Sequence, residues 1–332
     1  MQIHEIIRTL DLGNSVAEFD ADLERFFVET EPFRALVEGR SDIIAGDKGT
    51  GKTALYKILQ KRYGAIPELK NVEVVTAFNP SGNPVFQRLA HHEVLTEGQY
   101  GTVWKAYTLS LVGNWLLSLY DDAPTDKMRE LDDLLTRTSL RTKDDTPATV
   151  FSKIMNTIRL ALSPTAAEMK MTLSETGIPI LTPRLEFDAA GAHSKNVATV
   201  SHEDALGLLN AALSEAEITV WVVLDRLDEA FQGFPETETP ALRALFRTYL
   251  DLLEFDHIKL KLFVRRDLFR KITRGGFVNL THVNSRKIEI MWEEDDLRNL
   301  LCRRMRENPA FIEALAAADA SDSELFDAVF PN

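Results

Sequence analysis

The sequence predicts an α/β fold in which a mostly parallel sheet is flanked by helices. A short apolar run at residues 43–46 leads into a glycine-rich bend and then into a helical pattern. Farther along the chain, apolar strands alternate with helical segments, as they do in parallel α/β sheets. The most apolar strand, ITVWVVLD at residues 218–225, has the continuous hydrophobic character of a strand buried on both faces.

Composition divides the chain into four segments. They are N-terminal helices with the first part of the core (1–80), a large and mainly helical insertion (81–217), the remainder of the core (218–292) and a short, partial C-terminal helical lid (293–332). In the first segment, EFDADLERFFVETEPFRALVEGR predicts two helices, because Pro32 should interrupt a single one. Alternating residues near 168–188 predict a small two-stranded excursion inside the insertion.

Composition also limits the classes of function. The chain has 332 residues, of which 45% are hydrophobic, so it can bury a large core. A single cysteine, Cys302, excludes a disulfide framework within the chain and suits a reducing compartment. Because the N-terminus lacks an export signal and no apolar run could span a membrane, we expect a cytoplasmic protein without membrane contact. The net charge of −13 disfavours nonspecific binding of nucleic acid over the whole surface.

The glycine-rich bend IIAGDKGTGKTALYKIL carries a phosphate-binding pattern. Gly46, four further residues, and then Gly51, Lys52 and Thr53 match G-x-x-x-x-G-K-[ST], the P-loop. Backbone N–H groups of such a loop surround phosphates, the lysine reaches the β and γ phosphates, and the hydroxyl binds Mg²⁺. The sequence therefore predicts a P-loop NTPase that binds ATP and Mg²⁺. The expected nucleotide-binding residues are Gly46, Asp47, Lys48, Gly49, Thr50, Gly51, Lys52, Thr53 and Ala54.

Acidic residues follow the most apolar strand. Asp225 ends that strand, so we expect it at the carboxyl edge of the sheet, where it would bind Mg²⁺ together with Thr53. Asp228 and Glu229 come directly afterwards, and one of them is expected to orient the attacking water. The alternative is that both acids only cap the next helical turn.

At these residues the sequence resembles a family. GDKGTGKTAL, LDRLDEAF, LKLFVRRDLF and IEIMWEEDDLRNLLCRRM resemble bacterial P-loop ATPases of the STAND and KAP neighbourhood, particularly stand-alone ATPases with a D-x-L-D-E acid box. The resemblance covers about residues 26–306. It implies that ATP hydrolysis serves as a conformational switch, often beside effector domains in signalling or phage defence. Many relatives have a second acid where this chain has Arg226, so the identity of the base stays open.

Two arginines end the strand LKLFVRRD. Adjacent strand residues point to opposite faces, so we expect one of Arg265 and Arg266 to reach the γ-phosphate or a neighbouring subunit and the other to pair with local acids. In STAND-like relatives an arginine at this position senses nucleotide. We favour Arg266 for the phosphate side, because it lies nearer the edge and Asp267 could hold its guanidinium. The alternative is an ion pair with Asp267 or with the acid box.

The leading functional hypothesis is a slow ATPase switch that controls a protein effector or acts through self-association. A first rival is a nucleic-acid-associated motor or loader, because residues 257–287 contain nine basic residues and one acid, Asp267; an ordinary solvated face explains most of these charges. A second rival is a small-molecule kinase. A GTPase is disfavoured: TKDD at residues 142–145 imitates a guanine-reading motif but has no apolar strand before it.

Overall fold

The computed structural model describes residues 7–8, 10, 12–14, 16–17, 19–77, 95–161, 201–230, 235–274, 276–277, 279–315, 317 and 319–330. The two-stranded excursion expected near residues 168–188 lies outside these ranges. In the described part of the chain, no helix is long and apolar enough to cross a membrane.

A five-stranded sheet forms the centre of the described chain, and all of its neighbouring strands are parallel. The strands are β1 (Ile43–Gly46), β2 (Val72–Thr76), β3 (Thr219–Leu224), β4 (Ile258–Arg265) and β5 (Lys287–Glu289). Their order across the sheet is β2-β3-β4-β1-β5. The predicted α/β class with a parallel sheet is therefore confirmed.

The helices surround this sheet. The first are α1 (Leu23–Phe26), α2 (Glu31–Val37) and α3 (Lys52–Arg62), followed by α4 (Glu97–Leu119), α5 (Asp126–Arg137), α6 (Pro147–Ala161) and α7 (His202–Glu215). The later ones are α8 (Leu227–Ala230), α9 (Pro235–Leu252), α10 (Arg266–Thr273), α11 (Leu280–Ser285), α12 (Glu294–Arg306), α13 (Pro309–Leu315) and α14 (Asp322–Val329). Pro32 lies in the first turn of α2, which separates α1 from α2 as expected.

Two strand ends differ from the sequence prediction. The β4 strand stops at Arg265, and Arg266 is the first residue of α10, so the two arginines are not successive strand residues. The run SRKIEIMW, residues 285–292, predicts a strand that ends at Trp292, but β5 ends at Glu289. Trp292 is consequently outside the ladder, in the short connection between β5 and α12.

Alternating side chains of the strands enter two separate hydrophobic clusters, one on each face of the sheet. Ile43 and Ala45 belong to the cluster that contains the buried faces of α4, α7 and α9, whereas Ile44 joins α2 and α3 on the opposite face. Period-two alternation thus produces a three-layered core. Trp104 of α4 donates a hydrogen bond to the Ala241 carbonyl of α9 at 2.8 Å. The described helices of the expected insertion therefore share their core with the sheet.

The N-terminal residues and the C-terminal helices meet beside α3. Arg304 of α12 forms an ion pair with the buried Asp20 at 3.2 Å and lies over the ring of Phe26. The C-terminal helices have a small core of their own, with Cys302 and Phe311 fully buried. The expected helical lid is therefore joined to the chain segment that precedes β1.

A buried charge network joins the amino ends of β1 and β5 to the middle of β4. Asp42 accepts hydrogen bonds from Lys261 (2.6 Å), Arg286 (2.9 Å) and the Tyr249 hydroxyl (3.0 Å). Lys261 is only 2% exposed and its ammonium lies 3.8 Å from the centroid of a Trp221 ring. The expectation of a solvated face is wrong for this lysine, because β4 is a central strand with both faces covered.

Candidate functional site

The glycine-rich loop, residues 46–53, leaves the carboxyl end of β1 and leads into α3. Gly51 is the N-cap of α3 with a φ of +96°, in the left-handed region that favours glycine. A Cβ atom on Gly46 would collide with the Thr50 hydroxyl. The conformation of this loop therefore requires glycine at two positions of the sequence motif.

The first turn of α3 is suited to an anion. Gly51 brings no capping side chain, and the turn contains no acidic residue. The first N–H groups of a helix lack partners within the helix and lie at the positive end of its dipole. An anionic group at this position would therefore be stabilised by the backbone itself.

Lys52 folds back over the loop. Its ammonium donates hydrogen bonds to the carbonyl oxygens of Gly46 (3.0 Å) and Asp47 (2.8 Å). The Thr50 hydroxyl donates to the same Asp47 carbonyl at 2.9 Å. The ammonium of Lys52 and the hydroxyl of Thr50 thus both lie against the backbone of the loop.

Asp225 follows β3 directly and lies near α3. It is 7% exposed, at the carboxyl edge of the sheet. The pKa of the Tyr56 hydroxyl, on α3, is raised to about 12. Burial is the main cause and the negative charge of Asp225 adds to it, whereas a hydrogen bond with Thr76 lowers the pKa. Because β1 and β3 both pair in parallel with β4, Asp225 and the glycine-rich loop lie at the same edge of the sheet.

The acid box comprises residues 225–229. After Asp225 the chain forms a short turn and then α8. Arg226 has a φ of +56° and its guanidinium lies 3.3 Å from the carboxylate of Glu229. The Glu229 side chain is 39% exposed. Asp228 lies within α8, but its side chain is outside the described part of the structure. The choice between Asp228 and Glu229 as the base therefore stays a prediction.

The two arginines occupy different environments next to the loop. Arg265 is paired in register with Gly46, and its guanidinium lies 2.7 Å from Asp267. That hydrogen bond is the main reason that the pKa of Asp267 is lowered. Arg266 lies 3.4 Å from Asp47 of the loop and 3.0 Å from Glu289 of β5. Asp267 was expected to hold Arg266, and this was wrong: the chain turns into α10 after Arg265, which places Arg265 beside Asp267.

Sequence reasoning missed one aromatic residue at the loop. The indole Nε1 of Trp292 donates a hydrogen bond to the Thr50 carbonyl oxygen at 3.0 Å. Trp292 was interpreted as the end of a strand, so nothing in the pattern indicated this contact. The pairing of β5 with β1, which brings Trp292 to the loop, is visible only in the fold.

Most basic residues of the stretch 257–287 have acidic partners within the chain. The ion pairs are Lys261 and Arg286 with Asp42, Arg265 with Asp267, Arg266 with Asp47 and Glu289, Lys271 with Glu238, and Lys287 with Glu289. Lys259 donates to the Phe255 carbonyl. The stretch therefore does not present its positive charges as one open surface.

Comparison with protein-family models, with curated proteins and with solved structures finds no match to this chain.

Proposed function

We propose that this chain binds ATP with Mg²⁺ through a P-loop and hydrolyses it slowly, as a conformational switch that controls a protein effector or acts through self-association. The proposal extends to bacterial signalling or defence only through the sequence resemblance to STAND and KAP ATPases. One observation carries it: the glycine-rich loop and Asp225 lie at the carboxyl edge of one parallel sheet, beside the same helix. Ligands of open parallel α/β sheets bind at that edge.

The loop supports the phosphate half of the proposal. Its glycine conformations bring backbone into a tight turn before α3, and Lys52 and Thr53 begin that helix. Lys52 is the cation of the motif, and its ammonium donates hydrogen bonds to two carbonyl oxygens of the loop. A triphosphate offers stronger acceptors than these carbonyls, since hydrogen bonds to charged groups are stronger than neutral ones.

Thr53 and Asp225 fit a magnesium ion. A hydroxyl and a carboxylate oxygen are hard ligands, and Mg²⁺ bound to a nucleotide keeps several waters and takes few protein oxygens. Within the described residues there is no cluster of three or more His, Cys, Asp or Glu that could hold a metal by itself. When bound, the ion would neutralise charge on the phosphates.

Slow turnover is supported by the pairing of the basic groups. Arg266 lies beside Asp47 and Glu289, and Arg265 beside Asp267, so part of the positive charge of each guanidinium is already neutralised by an acid. We propose Arg266 as the arginine that reaches the γ-phosphate, because its present partner Asp47 belongs to the loop. A conformational step before chemistry is typical of nucleotide switches.

The rival functions are less well supported. The internal ion pairs of residues 257–287 weaken the case for a nucleic-acid motor. In the GTPase alternative, residues 142–145 would read guanine, but they follow α5, and Asp145 pairs with Lys153 at 2.6 Å. A small-molecule kinase is separated from an ATPase by assay: hydrolysis of ATP without any acceptor supports the ATPase.

Asp225→Asn tests the proposed function. We expect it to lower ATP hydrolysis by about a hundredfold or more, because it removes the metal ligand. Nucleotide binding should persist, since the glycine-rich loop is unchanged. Steady-state phosphate release and calorimetric titration with MgATP measure the two effects. Asp133→Asn, which changes an acid in an exposed ion pair of α5, is the control. Normal turnover by Asp225→Asn would remove this aspartate from the site.

Glu229→Gln and Asp228→Asn identify the base. If Glu229 orients the water, we expect Glu229→Gln to bind ATP normally and to retain it unhydrolysed, because charge is lost without a change of shape. Single-turnover measurements with radiolabelled ATP show whether the bound nucleotide remains ATP. Normal turnover by Glu229→Gln together with an inactive Asp228→Asn would assign the role to Asp228. Normal turnover by both variants would show that the two acids are structural.

A further inference from the structure

Trp292 connects the glycine-rich loop to the start of α12. Besides the hydrogen bond from its Nε1 to the Thr50 carbonyl, the indole lies 3.9 Å from the position that a Cβ atom of Gly51 would occupy. The indole therefore contacts the backbone where the loop becomes α3. It is partly buried and packs against the core formed by α2 and α3.

Short segments of chain fix Trp292 on both sides. Two residues before it, the backbone N–H of the buried Ile290 donates to the Ala45 carbonyl of β1 at 2.7 Å. Immediately after it, Glu293 is the N-cap of α12. A movement of the indole relative to β1 must therefore be accommodated by the first turn of α12.

The helix α12 is in turn joined to α3 by the N-terminal residues. Arg304 of α12 pairs with the buried Asp20, and Arg62 at the end of α3 donates to the Glu24 carbonyl of α1. The loop, Trp292, α12, the N-terminal residues and α3 thus form a closed path of contacts. A change in the loop can reach α12 directly through Trp292.

Occupation of the loop by phosphate would disturb the partner of this indole. Thr50 donates its hydroxyl and its backbone N–H to the Asp47 carbonyl, which also accepts from Lys52. When the Lys52 ammonium turns towards a phosphate, this shared carbonyl loses a donor. Trp292 donates to the carbonyl oxygen of Thr50, so the hydrogen bonds of Thr50 are among those that adjust when Lys52 moves.

We infer that Trp292 is a positioning residue, which holds the glycine-rich loop through the Thr50 carbonyl and transmits the state of the loop to α12. The part of this inference that concerns nucleotide rests on the proposed ATP site. The link between the loop and the helix does not, because its contacts are made between residues of the chain itself.

Hydrogen exchange without nucleotide tests the link. Trp292→Phe removes the N–H donor and keeps an aromatic ring; Trp104→Phe removes the same kind of bond, indole to carbonyl, in the helical layer. We expect amide exchange in residues 46–53 and 293–298 to become about fivefold faster in Trp292→Phe, as the loss of one net hydrogen bond implies, and to stay unchanged in Trp104→Phe. Trp292→His, which retains an N–H donor, should restore part of the protection. Equal exchange in wild type and Trp292→Phe would overturn the inference.

Tryptophan fluorescence during MgATP titration tests the transmission. We expect wild type and Trp104→Phe to show a nucleotide-dependent change, and Trp292→Phe to lose it and to bind ATP about fivefold more weakly. A full change and full affinity in Trp292→Phe would overturn the inference. If wild type binds no nucleotide, the proposed function fails, and the exchange experiment alone then decides whether Trp292 links the loop to α12.

Discussion

Lys52→Ala is expected to abolish ATP turnover. The ammonium of Lys52 is the one mobile cation that the motif directs at the β and γ phosphates, and the structure holds it above the glycine-rich loop by two carbonyl oxygens. Removing one such preorganised donor lowers kcat by about 10²- to 10³-fold. Because the lysine also contributes to ground-state binding, calorimetry with MgATP should show a large loss of affinity as well.

The control is Lys61→Ala. It removes a lysine from the last turn of the same helix, where Lys61 forms an exposed ion pair with Glu24. Such pairs contribute about 0–1 kcal/mol, so turnover and affinity should stay close to those of wild type. Equal affinity and turnover in wild type and Lys52→Ala would contradict the assignment of the loop.

Asp42→Ala is expected to destabilise the fold by about 3–5 kcal/mol, because removal of one partner leaves a buried charge uncompensated. Lys261 would retain only weaker neighbours, the Ser41 carbonyl at 3.2 Å and the face of Trp221. Denaturant unfolding monitored by circular dichroism measures the change. Glu130→Ala, which breaks the exposed pair with Lys127, should cost less than about 1 kcal/mol.

A double variant separates charge from packing. Asp42→Asn combined with Lys261→Met removes both charges of the buried pair, so that neither charge is left without its partner. We expect the double variant to be more stable than Asp42→Ala. Arg286 tolerates the change because 38% of its side chain is exposed. A double variant as unstable as Asp42→Ala would show that the pair acts through shape rather than charge.

The same network predicts a response to acid. Burial alone would raise the pKa of Asp42, but the Lys261 ammonium and the Arg286 guanidinium outweigh it and lower that pKa below its usual range. A lowered pKa in the folded state means that the carboxylate stabilises the fold above the unfolded pKa of about 3.9 and loses this effect as the pH falls through the folded pKa. The stability difference between wild type and Asp42→Ala should therefore shrink in strong acid.

Several elements could be predicted because their causes are local in the chain. The position of the glycine-rich loop follows from glycines at fixed spacing, and the structure shows that Gly46 and Gly51 meet conformations that a side chain would disturb. The burial of β3 follows from its continuous apolar run, which also places Asp225 directly after the strand. Pro32 separates two helices because its ring is incompatible with a helix interior.

Other features depend on residues that are distant in the sequence. The order β2-β3-β4-β1-β5 decides that Arg265, rather than the end of β3, lies in register with the first glycine of the loop. Neither the composition nor the spacing of the motifs specifies this strand order, since several strand orders would satisfy the same hydrophobic pattern. The end of β4 also decided which arginine meets Asp267, because the turn into α10 places Arg265 and not Arg266 beside it.

The sequence by itself determined where the glycine-rich loop begins, which strand is buried on both faces and which acid follows that strand, because glycine spacing and hydrophobic period act within a few residues. Only the tertiary structure decided that Lys261 is buried against Asp42, that Arg266 pairs with the loop and that Trp292 holds Thr50. Each of these contacts joins residues more than two hundred positions apart. The free energy of such a contact depends on which surfaces the whole fold brings together, and a local pattern carries no information about that.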